Sequence, residues 1–256
     1  MIIFLGDSFT WGQGLQIPVW LKQGKSVEEI TNLMPPKHPA ELYDYEGDEY
    51  RKKHHFPNLV AKHFNKSYST KWGNGGSNSQ IEFLMEEAGQ MMDTNGIEAF
   101  VIQFTEVSRD GKLIGKFYNG PIQTPYSKNL ESSDLDDEFP KKYIEYFLEN
   151  FNNKVKANYD NVKWFGFSWH SDIGEVLENQ YPDNYIPINY KGLTHNNFQY
   201  LRMNYSELVL AGMEKTFIDK DNNKYQKRIG ITDGHLNEKG HQVIADSIIK
   251  KITPYL

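Results

Sequence analysis

Ile2-Ile3-Phe4-Leu5-Gly6-Asp7-Ser8-Phe9-Thr10-Trp11-Gly12 is the stretch whose reading decides the architecture. Four apolar residues in succession fit a short strand buried on both faces, as in a parallel sheet. The glycine-bounded turn that follows holds a serine, an arrangement that several folds use to present a nucleophile. The turn lifts the hydroxyl above the carboxyl end of the sheet, where N–H groups of the next helix can stabilise an anion. Near the other end of the chain, Asp233-Gly234-His235 leads into Leu236-Asn237-Glu238-Lys239-Gly240-His241. An N-terminal serine and a C-terminal Asp/His pair are the parts that acyl transfer requires.

Working outward, Ser67–Trp72, Ala99–Phe104 and Val162–Phe167 read as further strands. Between them fall helical patterns. Pro57 opens one, with Leu59, Val60, His63 and Phe64 on one apolar face, which makes His63 a core or boundary residue. Ser79-Gln80-Ile81-Glu82 reads as a capping box before a stripe of Ile81, Leu84, Met85, Ala88 and Met92. Pro140 begins the strongest helix, through Ile144, Phe147, Leu148, Phe151 and Val155, and residues 196–213 read as another. Phe217–Ile231 resembles a hairpin or loop around Asp221-Asn222-Asn223, and Asn237 is a good N-cap for a last helix through Ile244, Ala245, Ile248 and Ile252. Residues 13–50 read as a long loop with one short helix, and 105–137 and 169–195 as long loops of the kind that form lids or binding segments. Strands alternating with helices imply a parallel α/β sheet within one domain spanning 1–256.

The 256-residue length suffices for a sizeable core in that single domain. A formal net charge of −6 argues against a general nucleic-acid binder, and the one basic cluster, Arg51-Lys52-Lys53-His54-His55, reads as a solvated helix start or loop. The chain has no cysteine, which excludes a disulfide framework, a thiolate nucleophile and Cys-ligated metal. No run is long enough for a membrane span, and the apolar run that ends at Leu5 is too short for a secretory leader, so a cytoplasmic location is expected. His38, His54 and His55 lack the paired spacing of metal ligands, and neither metal nor cofactor is expected. Aromatic residues make up 14 %, more than a core of this size absorbs, which points to aromatics in the long loops.

Serine needs a base to take its proton as it attacks, and His235 is the best candidate for that base to Ser8. Residues two apart in an extended segment project to one side, so Asp233 can reach the His235 imidazole and hold its tautomer. Donors for the developing oxyanion are the Ser8 N–H and the loop at 75–78, where Gly76 permits close backbone approach and Asn78 offers a side-chain amide. His170 and Asp172, after the strand ending at Phe167, are cleft-lining candidates, whereas His241 falls on the buried side of the last helix and reads as packing.

This set resembles the SGNH (GDSL) hydrolase family. Gly6-Asp7-Ser8 matches its first block, Asn74-Gly75-Gly76-Ser77-Asn78 resembles the second, with Gly76 as the oxyanion glycine, and Asp233-Gly234-His235 resembles the last. The resemblance implies a three-layer α/β/α sandwich of flavodoxin-like type, with a five-stranded parallel sheet and long loop insertions. It further implies hydrolysis of a carboxylic ester through an acyl-enzyme on Ser8. Two departures stand out. After the third strand the chain reads Gln103-Phe104-Thr105-Glu106, so Thr105 occupies the place of the family's oxyanion asparagine, and the third donor is a hydroxyl, a backbone group or missing. The position three before His235 is Thr232, with the carboxylate two before it, which leaves a Ser-His-Asp triad and a Ser-His dyad both open. Trp11, Tyr118, Tyr126, Trp169, Tyr181 and Tyr185 suit stacking on sugar rings, which tilts the expected partner towards an O-acetyl carbohydrate ester over a lipid acyl ester or thioester. The altered third block keeps an inactive SGNH-like binding module as the rival, and nothing in the sequence sets an oligomeric state.

Overall fold

The structure is a computed structural model, and it describes residues 1–26, 29, 45–72, 77–91, 96–105, 139–159, 161–168, 170–188, 213–218, 224–229, 236 and 238–256. In chain order the elements are β1 (Ile2–Gly6), α1 (Ser8–Trp11), α2 (Ile17–Lys22), α3 (Tyr45–His54), α4 (Phe56–Phe64), β2 (Tyr68–Trp72), α5 (Asn78–Met91), β3 (Ala99–Gln103), α6 (Phe139–Asn158), β4 (Lys163–Phe167), α7 (Ser171–Gln180), β5 (Met213–Ile218), β6 (Lys224–Ile229) and α8 (Glu238–Ile252), followed by a short turn of 3-10 helix.

β1 to β4 form one parallel sheet in the order β2-β1-β3-β4. Alternation along each strand sends its side chains to two separate cores. Ile3, Leu5, Phe100, Ile102 and Trp164 pack with Ile81 and Met85 of α5, Ile144, Phe151 and Val155 of α6, and Ile173 and Leu177 of α7. Ile2, Phe4, Val101, Phe165 and Phe167 pack with Phe56 and Val60 of α4 and Ile244, Ala245 and Ile248 of α8. Helices therefore cover both faces of the sheet.

The sheet has four strands among the described residues, where five were expected. The fifth position is reduced to a single parallel bridge between Gly166 and Tyr185, held by Gly166 N–H to the Asn184 carbonyl at 2.9 Å and Ile186 N–H to the Gly166 carbonyl at 2.8 Å. Pro182 and Pro187 flank this segment, and proline cannot donate to a ladder, which fits so short a pairing. β5 and β6 form a separate antiparallel pair, with Met213 opposite Ile229 and Ile218 opposite Lys224, which decides between hairpin and loop for this stretch and starts the first strand four residues before Phe217.

Other expectations needed correction. The stretch 169–195 is not one long loop: α7 occupies Ser171–Gln180 and buries Ile173, Val176 and Leu177. Among its described residues, the stretch 13–50 holds α2 and most of α3, more helix than the one short helix expected. Met213 opens a strand and does not close a helix, while 196–212 and the expected loop at 106–137 lie outside the described residues. The cap of α5 is Ser77, whose Oγ accepts the Gln80 N–H at 3.3 Å, two residues ahead of the expected Ser79-x-x-Glu82 box. His63 is exposed at the end of α4, because the buried face of that helix runs through Phe56, Val60 and Ala61. The basic cluster 51–55 closes α3, and its Arg51 and His55 are buried, not solvated. Among the described residues no helix is long and apolar enough to cross a membrane.

Candidate active site

In a parallel sheet every strand ends at the same edge, so the segments after β1, β2, β3 and β4 gather there. The chain leaves β1 first for β2 on one side and then returns to β3 on the other, which opens a crevice between the ends of β1 and β3. Ser8 stands at that crevice. It is the first residue of α1, directly beyond β1, and is only 5 % exposed.

The turn forms locally for three reasons. Asp7 is the N-cap, and its carboxylate accepts the Phe9 N–H at 2.9 Å, the usual role of aspartate before a helix. Gly12 ends α1 with φ of 87°, a left-handed conformation suited to glycine, and a side chain there would lie 2.9 Å from His55 Cβ. Gly6 leaves room for Thr10: a Cβ on it would come within 2.1 Å of the Thr10 hydroxyl.

The opposite wall is the end of β3. Thr105 is fully buried, and its peptide is clamped by Asn78 at the start of α5. The Asn78 Oδ1 accepts the Thr105 N–H at 2.9 Å while Asn78 Nδ2 donates to the Thr105 carbonyl at 3.0 Å. The structure thus brings Asn78 and Thr105 together, with the Asn78 amide engaged on backbone. The Thr105 hydroxyl is buried without a hydrogen-bond partner among the described residues. An unsatisfied buried hydroxyl is costly and calls for an explanation.

Gly76, Asp233 and His235 lie outside the described residues. Their flanks do not. Ser77 and Asn78 follow β2 on the same edge as Ser8. Leu236, next to His235, is fully buried and belongs to the same core cluster as Phe9, next to Ser8. The start of α8 docks on α3, with Glu238 bonded by Tyr50 and 3.6 Å from His54. In turn, Arg51 of α3 donates to the Trp11 carbonyl at 2.6 Å.

Behind α1, Arg51 also bonds Asp48 through Nε and Nη2, at 3.1 and 2.6 Å. Burial opposes ionisation of Asp48, but hydrogen bonds from Lys52 and Arg51 outweigh it and hold the carboxyl below its usual range. His55 is buried beside them, with Nε2 3.1 Å from the Tyr68 hydroxyl. Burial first, and the Arg51 charge second, press its pKa down to about 3, so it is neutral at physiological pH.

The Trp11 ring is committed to this packing. It stacks on Trp72 at 4.9 Å, carries the Arg51 guanidinium 4.1 Å above its centroid, and is 6 % exposed. Tyr185 is 5 % exposed, whereas Tyr181, tilted against Trp164 at 5.6 Å, is only partly buried. Trp11 and Tyr185 therefore do not serve as open sugar platforms. Tyr118, Tyr126 and Trp169 lie outside the described residues.

At the next strand end, Ser168 Oγ donates to the Phe104 carbonyl at 3.0 Å and accepts the His170 N–H at 3.1 Å, and His170 is the N-cap residue of α7. His241 packs as expected, stacked on Phe56 and accepting its N–H at 3.2 Å. Gln103 was missed by the sequence reading. It is fully buried and joins Asp7 to Thr10. The available signal was a lone polar residue closing the apolar run Ala99-Phe100-Val101-Ile102.

No family model and no curated protein matches the chain. A solved structure from Desulfitobacterium hafniense DCB-2, described as a candidate lipolytic protein of the G-D-S-L family, is similar over 98 % of both chains at 9 % identity, with a TM-score of 0.40.

Proposed function

We propose that the protein is a serine ester hydrolase of the SGNH type, acting through an acyl-enzyme on Ser8. The observation that carries the reading is the position of Ser8. It is the first residue past the central strand β1, in a capped turn at the crevice between β1 and β3, where open α/β sheets bind their ligands.

In this reading His235 takes the Ser8 proton as the hydroxyl attacks the acyl carbon, then returns it to the departing alcohol. Water repeats the cycle to release the acid. The docking of Glu238 on α3, and of α3 on Trp11, supports bringing the segment ahead of α8 towards Ser8. Asp233 orients the imidazole. The Ser8 and Gly76 N–H groups bind the oxyanion, and the buried, unspent Thr105 hydroxyl supplies the third donor. With Asn78 engaged on the Thr105 peptide, its part is to hold that donor in place.

The substrate is a carboxylic ester. With Trp11 and Tyr185 packed away, a preference for an O-acetyl carbohydrate rests on Tyr118, Tyr126, Trp169 and the partly buried Tyr181. The test is turnover of 4-nitrophenyl acetate, together with fluorophosphonate labelling mapped to Ser8. Acetylated oligosaccharide and long-chain acyl ester are assayed alongside to sort the alcohol and acyl classes. An unlabelled, inactive wild type overturns the reading in favour of a binding module.

A further inference from the structure

We infer that Gln103 is a positioning residue for the nucleophile, strapping both ends of the turn that carries Ser8 to the strand that carries Thr105. This rests on the ester-hydrolase reading of Ser8.

The geometry is specific. Gln103 closes β3 and is fully buried. Its Nε2 donates to Asp7 Oδ1 at 2.6 Å, and its Oε1 accepts from the Thr10 hydroxyl at 2.6 Å. Asp7 lies immediately before Ser8, and Thr10 lies two residues after it. The amide therefore grips the turn on both sides of the nucleophile through two buried hydrogen bonds. Asp7 Oδ1 also accepts the Phe9 N–H, so the same carboxylate oxygen sets the backbone around Ser8 and ties it to β3. Gly6 makes the strap possible, since a side chain there would meet Thr10 Oγ1 at 2.1 Å and Gln103 Cβ at 3.1 Å.

A side chain with one donor end and one acceptor end is required. Leucine would fill the space but release both partners, leaving the buried Asp7 carboxylate, 1 % exposed, one donor poorer. Glutamate reproduces the pattern only when protonated, with its O–H donating to Asp7 and its carbonyl accepting from Thr10. Ionised, it would set a second negative charge against Asp7, and such a pair retains a shared proton to higher pH than either acid alone. Through Gln103 the distance from Ser8 to the donors at the end of β3 is set by β3 itself, two residues before Thr105. Displacement of a reacting group by about 1 Å is enough to cost about a hundredfold in rate.

The experiment uses the full chain, with 4-nitrophenyl acetate as substrate and the end point of fluorophosphonate labelling to count functional sites. Per titrated site, Gln103→Leu should lower kcat about thirty- to a hundredfold with KM nearly unchanged. Thr10→Val, which removes one end of the strap, should have a smaller effect in the same direction. The turnover of Gln103→Glu, divided by that of the wild type at each pH, should fall at least about tenfold as pH rises from about 6 to about 9. A merely structural role would reduce the number of titrated sites and the melting temperature but leave kcat per site and this ratio flat. That result would overturn the inference alone. If Gln103→Leu does not fold, the Gln103→Glu ratio decides, because protonation restores the native bonds within one sample. An active wild type labelled anywhere but Ser8, or not labelled at all, would instead remove the ester-hydrolase reading, and the positioning role with it.

Discussion

Two buried polar clusters grip the four-residue helix α1 from different neighbours, and they differ in kind. At the end of β3, Gln103 meets Asp7 and Thr10 through directional hydrogen bonds with one formal charge in the group. On α3, Arg51 meets the Trp11 carbonyl and the Asp48 carboxylate, lies over the Trp11 ring, and presses on the neutral His55. The first cluster flanks Ser8, the proposed nucleophile, and can set its direction. The second holds the far end of the same helix and is built from full charges whose burial is expensive unless they are paired. The difference teaches that one short helix can be oriented by neutral hydrogen bonds and anchored by an ion pair, and that damage to the two should be read on different instruments: turnover for the first, stability for the second.

The largest effect should come from Ser8→Ala, which in the proposed mechanism removes the nucleophile. Turnover of 4-nitrophenyl acetate should fall by more than about a thousandfold while the melting temperature stays near the wild-type value. Retained turnover would place the nucleophile elsewhere.

Next comes Arg51→Met, which strips the buried partner from Asp48 and from the Trp11 carbonyl. Breaking a buried pair from one side typically costs about 3–5 kcal/mol, readable as a lower midpoint in urea. The exposed end of Lys52, 2.6 Å from Asp48, should soften the loss towards the lower figure. If the two clusters are as separate in role as their chemistry suggests, kcat per functional site will change far less than stability.

Thr105→Val sharpens the comparison by splitting the two readouts at a single residue. The substitution keeps the shape and removes a buried hydroxyl that has no partner among the described residues, so the melting temperature should hold or rise. If that hydroxyl is the third oxyanion donor, kcat falls by about tenfold, less than for loss of a fully optimised donor. Unchanged kcat would leave Thr105 a packing residue.

The smallest effect concerns pH. A histidine whose folded pKa lies below its unfolded value favours the folded state while both forms are neutral. That advantage drains as acid protonates only the unfolded chain. For His55 the window runs from about 6.5 down to about 3. His55→Gln should flatten the fall in melting temperature across that range by a few degrees relative to the wild type, with little change in stability near pH 8. An unaltered acid slope would show that His55 is not what couples this cluster to pH.

The four strands of the parallel sheet were legible because each is a short run with a strong local signature. Ile2-Ile3-Phe4-Leu5 and Ala99-Phe100-Val101-Ile102 are apolar without interruption, as strands covered on both faces must be. The helix stripes of α5, α6 and α8 were equally plain, since their buried residues recur at three and four positions. α7 was harder to read: Ile173, Val176 and Leu177 give it an apolar face one turn long, set among Gly174, Glu175, Glu178 and Asn179, too brief a stripe to distinguish from loop. Arg51 and His55 looked solvated because a run of basic residues usually is. Here Lys52 and Lys53 are exposed while Arg51 and His55, four residues apart, turn inward.

Sequence by itself determined the parallel α/β class and the glycine-bounded turn that holds Ser8, because periodicity and turns act over a few residues. The tertiary structure alone decided what that turn leans on. Asp7 and Thr10 find Gln103 across 96 and 93 residues, and Trp11 finds Arg51 across 40. Those partners depend on which strands lie side by side and which helix covers the end of the sheet. Packing of the two cores settles that order, and no local pattern in the chain records it.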